Sequence, residues 1–153
     1  MSKYIEIAQT LERVIHKYNK NEELKRTYGT GILLTQKEIH TIQLIGQYPH
    51  IGIVELAERQ GVTKGATSQM VKKLVEKGFV VKKQSQVSEA EICLELTELG
   101  QKAFEGHAEY HQSAGKQWKE VINQMSEADL QVVMHFIESI EKILDAEKLK
   151  GEK

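Results

Sequence analysis

The chain has 153 residues, 40% of them apolar and 6% aromatic, enough for one domain to bury a core without metals or disulfides. Its single cysteine, Cys93, excludes an intramolecular disulfide framework and fits a reducing, cytoplasmic setting; no apolar run nears the roughly 20 residues that span a bilayer, and Glu6 and Gln9 interrupt the apolar N-terminus, so neither membrane nor secretory leader is expected. The net charge of −1 hides a basic block between Arg59 and Lys83, where seven cations face one acid, Glu76, the footprint expected where a phosphate backbone docks.

Taken in chain order, residues 3–25 read as an amphipathic helix, with Tyr4, Ala8, Leu11, Ile15 and Tyr18 at spacings of three and four. Tyr28-Gly29-Thr30-Gly31 breaks it. Thr35, with Glu38 at the capping-box position, starts a second helix carrying Ile39, Ile42 and Ile45, which Gly46 and Pro49 stop. A short third helix runs from Ile53 to Gln60 and ends at Gly61. Thr63 caps a fourth, extending to about Glu76, with Ala66, Met70, Val71, Leu74 and Val75 as its inner face. Phe79 to Lys82 and Ile92 to Leu96 read as strands of a hairpin with a long polar tip. Alternation places Ile92 and Leu94 toward the core and Cys93 on the other face, a plain thiol rather than a redox sensor. Thr97 caps a long helix to about Met125, and Ser126 caps a last one with Leu130, Val133, Phe136, Ile137, Ile140 and Leu144 on its apolar face, fraying from Lys148.

The expected fold is therefore mostly α with a small β-hairpin: a winged helix-turn-helix over 34–97 flanked by dimerisation helices, 1–33 and 98–148, within one domain of 1–153. Leu56, Ala57, Gly61 and Val62 fall where two crossing helices need a small residue, a turn and a core plug. The segment from Thr63 to Gln69 is small and polar, as a helix entering a major groove must be. Thr67, Ser68 and Gln69 suit base edges, while Lys64, Lys72 and Lys73 suit phosphates. Thr63, Gly65, Ala66, Lys82 and Lys83 complete the expected surface for double-stranded DNA.

Several segments carry a resemblance. Leu34-Thr35, Ile53-Val54-Glu55-Leu56-Ala57, Val62 to Ser68, Lys73 to Gly78 and Leu96 to Gly100 resemble, in order and spacing, the MarR family of bacterial regulators. The resemblance implies a homodimer joined through its first and last helices, binding a pseudo-palindromic operator and released by an effector. The family's wings carry an Asp-Arg pair whose Arg enters the minor groove. This chain has Ser88-Glu89-Ala90 there, so wing reading is expected to be weak or to come from Lys82, Lys83, Gln84 or Gln86.

His107-Ala108-Glu109-Tyr110-His111 places two imidazoles one helical turn apart, on a stripe with Leu99, Ala103, Ala114 and Trp118. Two neighbouring histidines in a dry site cannot both be protonated cheaply, and a shared metal resolves that. Glu22 continues the apolar stripe of the first helix, with Glu23 as its substitute if the helix phase slips, and His40 lies in the second helix. Glu22, His40, His107 and His111 together make an N₃O set suited to zinc. The zinc-responsive branch of the MarR family resembles this in placing one Glu and three His at matching positions. Its second site uses a cysteine before Thr35, which is absent here.

The alternative effector is a small aromatic or phenolic ligand anchored by His40 and His107 in the same region. Catalysis is not expected, because the acid in His107–His111 is misplaced for a metalloprotease base and no nucleophile elbow or phosphate loop exists.

Overall fold

A computed structural model describes residues 2–87 and 91–151. Its elements follow the expected order: α1 (Lys3–Glu22), α2 (Gln36–Gln47), α3 (Ile53–Gln60), α4 (Lys64–Glu76), β1 (Val80–Gln84), β2 (Ile92–Leu96), α5 (Glu98–Ile122) and α6 (Glu127–Gly151). The chain forms two compact units, residues 1–110 and 111–153, divided partway along α5. Ser88, Glu89 and Ala90, on which the wing-tip expectation rests, lie outside the described residues.

In the first unit, α2, α3 and α4 surround a core of Leu34, Ile39, Ile42, Ile45, Leu56, Val71 and Leu74, closed by Phe79, Val80 and Leu94 from the hairpin and Ala103 from α5. The capping box forms as expected: the Glu38 amide donates to Thr35 Oγ1 at 3.1 Å and the Thr35 amide to Glu38 Oε2 at 2.9 Å. Gly61 ends α3 in the left-handed region, φ 67°, which lets α4 turn back against α3. The hairpin is antiparallel, with Val80 opposite Leu96 and Gln84 opposite Ile92.

Burial departs from the simple alternation in β2. Ile92 is 53% exposed, whereas Cys93 and Leu94 are both buried. At the strand's outer edge the Leu94 amide donates to the Ile51 carbonyl at 2.8 Å, and Gly52 bridges Cys93. The buried thiol has its Sγ 4.0 Å from the Gln84 carbonyl oxygen. On α1 the apolar stripe is present but uncovered within the chain. No residue of the helix is buried, and Tyr4 and Tyr18 are well exposed.

The second unit holds the end of α5 and α6. The turn between them is capped as expected: the Asp129 amide donates to Ser126 Oγ at 3.1 Å, and the Ser126 hydroxyl donates to Asp129 Oδ2 at 2.6 Å. Trp118, Phe136, Ile137 and Leu144 are exposed, and α6 continues to Gly151, past the point where fraying is expected.

Candidate functional site: reading helix and histidine centre

The start of α4 is built to be approached. Thr63 caps it, accepting from the Ala66 amide at 3.2 Å, so its hydroxyl is committed to the helix end. Lys64, Gly65, Ala66, Ser68 and Gln69 are exposed, and nothing lies within 4 Å of where a Cβ on Gly65 would stand. Backbone and short polar groups are thus open to a groove. Lys72 and Lys73 are exposed one turn on.

Thr67 is a correction. It is 1% exposed, and its hydroxyl donates to Gln60 Oε1 at 3.4 Å, so it faces the core rather than bases. Gln60 Nε2 in turn donates to Thr41 Oγ1 at 2.7 Å. The buried residues of α4 are Thr67, Val71 and Leu74, a stripe at steps of four and three. This turns Ala66 and Val75 outward, against the expected inner face.

The basic block is partly spent inside the molecule. Lys77 Nζ donates to Glu38 Oε1 at 2.8 Å, and Arg59 pairs with Glu55 at 2.9 Å while lying 3.6 Å over the Tyr48 ring. Lys83 pairs with Glu95 at 2.6 Å, and Glu95 also meets His50 Nδ1 at 3.0 Å. The hydrogen bond to Glu95 raises the Lys83 ammonium above its ordinary value. Lys83, expected at phosphate, therefore carries a local counter-charge, whereas Lys82 is exposed on the same strand. Glu95 was outside the basic window read from sequence; only hairpin register brings it to Lys83.

Burial pushes the Glu38 carboxyl upward, but the hydrogen bonds from Lys77 and Thr35 outweigh it and hold the group below its usual 4.5. One buried carboxylate thus caps α2 and grips the end of α4.

The second constellation lies where α2 meets α5. His40, His107 and His111 each offer a ring nitrogen, and these atoms lie within 4.8 Å of one another. The His40 and His107 ring centroids are 5.6 Å apart, and the continuous helix α5 carries His111 one turn from His107. Only His107 is buried, at 3% exposure; His40 and His111 are exposed, against the expectation that both α5 rings sit on a dry stripe.

Glu22, the last residue of α1, reaches this centre through Gln36. Gln36 Nε2 donates to Glu22 Oε2 at 2.7 Å and stands 3.3 Å from His40 Nε2. Glu23 is exposed. Sequence reasoning missed Gln36, although its spacing of four from His40 was a usable signal. It also missed Tyr28, whose ring packs edge-on to His107 at 5.5 Å.

The donor set fits a metal. A tetrahedral zinc with Zn–N bonds of about 2.0–2.1 Å places its nitrogen ligands about 3.3–3.4 Å apart, inside the 4.8 Å within which these three ring nitrogens lie. The same imidazole and carboxylate donors also suit nickel or cobalt.

Comparison with known proteins agrees with this architecture. Residues 34–89 match the model of the MarR family. Over 113 residues the chain is 27% identical to the uncharacterized HTH-type transcriptional regulator YhjH of Bacillus subtilis, covering 72% of this chain and 65% of that protein; the match thus spans under two thirds of the relative's length. Among solved structures, the zinc-responsive MarR family member ZitR of Lactococcus lactis superposes with a TM-score of 0.76 at 17% identity, covering 94% of this chain and 99% of ZitR. ZitR is also known in complex with DNA. The zinc-dependent MarR family transcriptional regulator AdcR, in its Zn(II)-bound state, superposes with a TM-score of 0.74 at 21% identity, covering 94% and 99%. These likenesses establish the fold. No helix among the described residues is long and apolar enough to cross a membrane.

Proposed function

We propose, from the match of residues 34–89 to the MarR family model, that the protein is a cytoplasmic, non-enzymatic transcription repressor of that family that binds operator DNA as a homodimer under the control of zinc. The observation that carries the reading is the meeting of His40, His107 and His111, because His40 stands on the helix that is bonded to the reading helix. The likeness to zinc-responsive and zinc-dependent relatives supports zinc as the ion. His40, His107 and His111 would hold it, with Glu22 as the fourth donor once its carboxylate leaves Gln36. Bound there, the ion supplies a fixed charge that ties its ligands together.

The chain's own residues supply the route to DNA. α2 bears His40 between Glu38, which grips Lys77 at the end of α4, and Thr41, which bonds Gln60 and through it Thr67 in α4. A change in the seat of α2 is therefore felt at both ends of the reading helix. Ser68, Gln69 and the open backbone at Gly65 would read the major groove, and Lys64, Lys72, Lys73 and Lys82 would hold phosphates. The uncovered apolar faces of α1 and α6 support a second copy as their cover, which would set two reading helices about one DNA turn, roughly 34–36 Å, apart.

Elemental analysis of chelator-free, untagged protein, with a shift assay on the protein's own promoter at two salt concentrations, tests this. About one zinc per chain and salt-sensitive retardation are expected; a metal-free protein, or binding indifferent to salt, refutes it. A second reading rests on a cavity of about 530 Å³ lined by His40, Leu44, Val62 and Met70 with Lys37 and Arg59, suited to a small aromatic acid; His40 lines it as expected, whereas His107, the other expected anchor, is not among its lining residues. Release of DNA by such acids in metal-free protein would favour it.

A further inference from the structure

Tyr28 occupies a conformation that a non-glycine residue seldom takes, φ 47°. The loop holds it there. Arg26 and Leu34 exchange both backbone hydrogen bonds, at 3.1 and 2.8 Å. The Thr30 amide and hydroxyl both donate to the Thr27 carbonyl, at 2.9 and 2.6 Å. On the far side, the Tyr28 carbonyl lies so close to α5 that a Cβ on Gly106 would stand 2.1 Å from its oxygen. Gly106, the residue before His107, is thus the notch into which the loop fits. The outcome is a ring only 8% exposed, packed edge-on to His107 at 5.5 Å and 88°, and edge-on to Tyr110 at 6.0 Å. Arg26 closes the stack, 4.7 Å over the Tyr110 ring.

We infer that Tyr28 is a positioning residue of the histidine centre: its ring fixes the plane of the His107 imidazole and so the direction of that ligand's lone pair. This rests on the metal reading above. The metal-binding lone pair of an imidazole lies in the ring plane, so rotation about the bond to Cβ aims or misaims it. Edge-to-face packing resists that rotation. His107 is the buried member of the three, and Tyr28 packs against it directly. Hydrogen-bonded groups that orient a metal ligand typically change metal affinity about 10–100-fold when removed, and a packed ring that fixes the same plane acts in the same sense.

The test compares Tyr28→Phe, Tyr28→Leu and Tyr28→Met in the full chain, with folding checked by circular dichroism; two non-aromatic variants are used in case one fails to fold. Zinc affinity is measured by competition with a chromophoric chelator, and bound cobalt(II) is read by its visible d–d absorption. The Phe variant should keep both the affinity and the band. The Leu and Met variants should lose about tenfold or more in affinity and show a displaced or weakened band. Folded Leu or Met variants with wild-type affinity and band would overturn the inference while leaving the metal reading intact, provided His107→Ala abolishes binding. Equal losses in the Phe and Leu variants would also overturn it, since the ring edge would not be the cause. Wild-type protein that binds neither ion would sink the metal reading, and this inference with it.

Discussion

At the scale of single residues, the side chains that matter most do two jobs each. Glu38 caps α2 and grips Lys77. Its folded carboxyl lies below 4.5, so its contribution is fully present above that pH and is lost as pH falls below it through the folded value. Glu38→Gln should therefore flatten the acid limb of the stability curve below pH 4.5 and cost about 1–2 kcal/mol near neutrality, discounted for the part-exposed Lys77; urea unfolding across pH checks this. Thr67 is the opposite case to a base reader. Thr67→Val should lower stability by about 1 kcal/mol without changing which bases the operator requires, whereas Gln69→Ala should relax preference at one base pair by about 1–3 kcal/mol; affinities for singly substituted operators separate the two. The capping box and the turn glycine Gly61 were legible because their chemistry is local. Thr67 was misread because small polar residues look alike on both faces of a helix, and only its partner Gln60, on the preceding helix, decides between them.

At the scale of elements, the reading helix was legible with the centre of its inner face, Val71 and Leu74, but not with the edges of that face, where Thr67 is buried and Ala66 and Val75 are exposed. Charge was similarly legible in sum and not in distribution. Lys77 finds an acid far along the chain and Lys83 one across the hairpin, while Arg59 pairs with Glu55 one turn back on α3. Lys72→Ala should weaken binding to all DNA sequences alike and reduce the salt slope by about 1. Lys83→Ala should do less, because Glu95 already offsets that charge; salt titrations of operator affinity compare them. Of the histidine centre, His107 and His111 could be picked out by helical spacing, and His40 by its place in the second helix together with the family resemblance. Gln36 and Tyr28 could not be picked out as readily, since neither is a usual metal ligand and their roles arise only when α2 and the loop at 26–34 meet α5.

At the scale of the whole molecule, the described chain leaves much apolar surface uncovered on α1 and α6, including Tyr4, Tyr18, Phe136 and Ile137. Periodicity found these stripes correctly, but no pattern within one chain says whether a stripe is covered by that chain or by another copy. Phe136→Glu should shift the protein from dimer to monomer in sedimentation velocity and weaken operator binding, since one reading helix then loses its partner.

If metal capture at the histidines governs DNA binding, operator affinity at fixed salt, measured with and without zinc in wild-type and His107→Ala protein, will show it. Wild-type affinity should rise about tenfold or more with zinc, a coupling of about 1–3 kcal/mol, and folded His107→Ala should bind at the metal-free level in both conditions. An equal response in the two proteins, or none in the wild type, would contradict it.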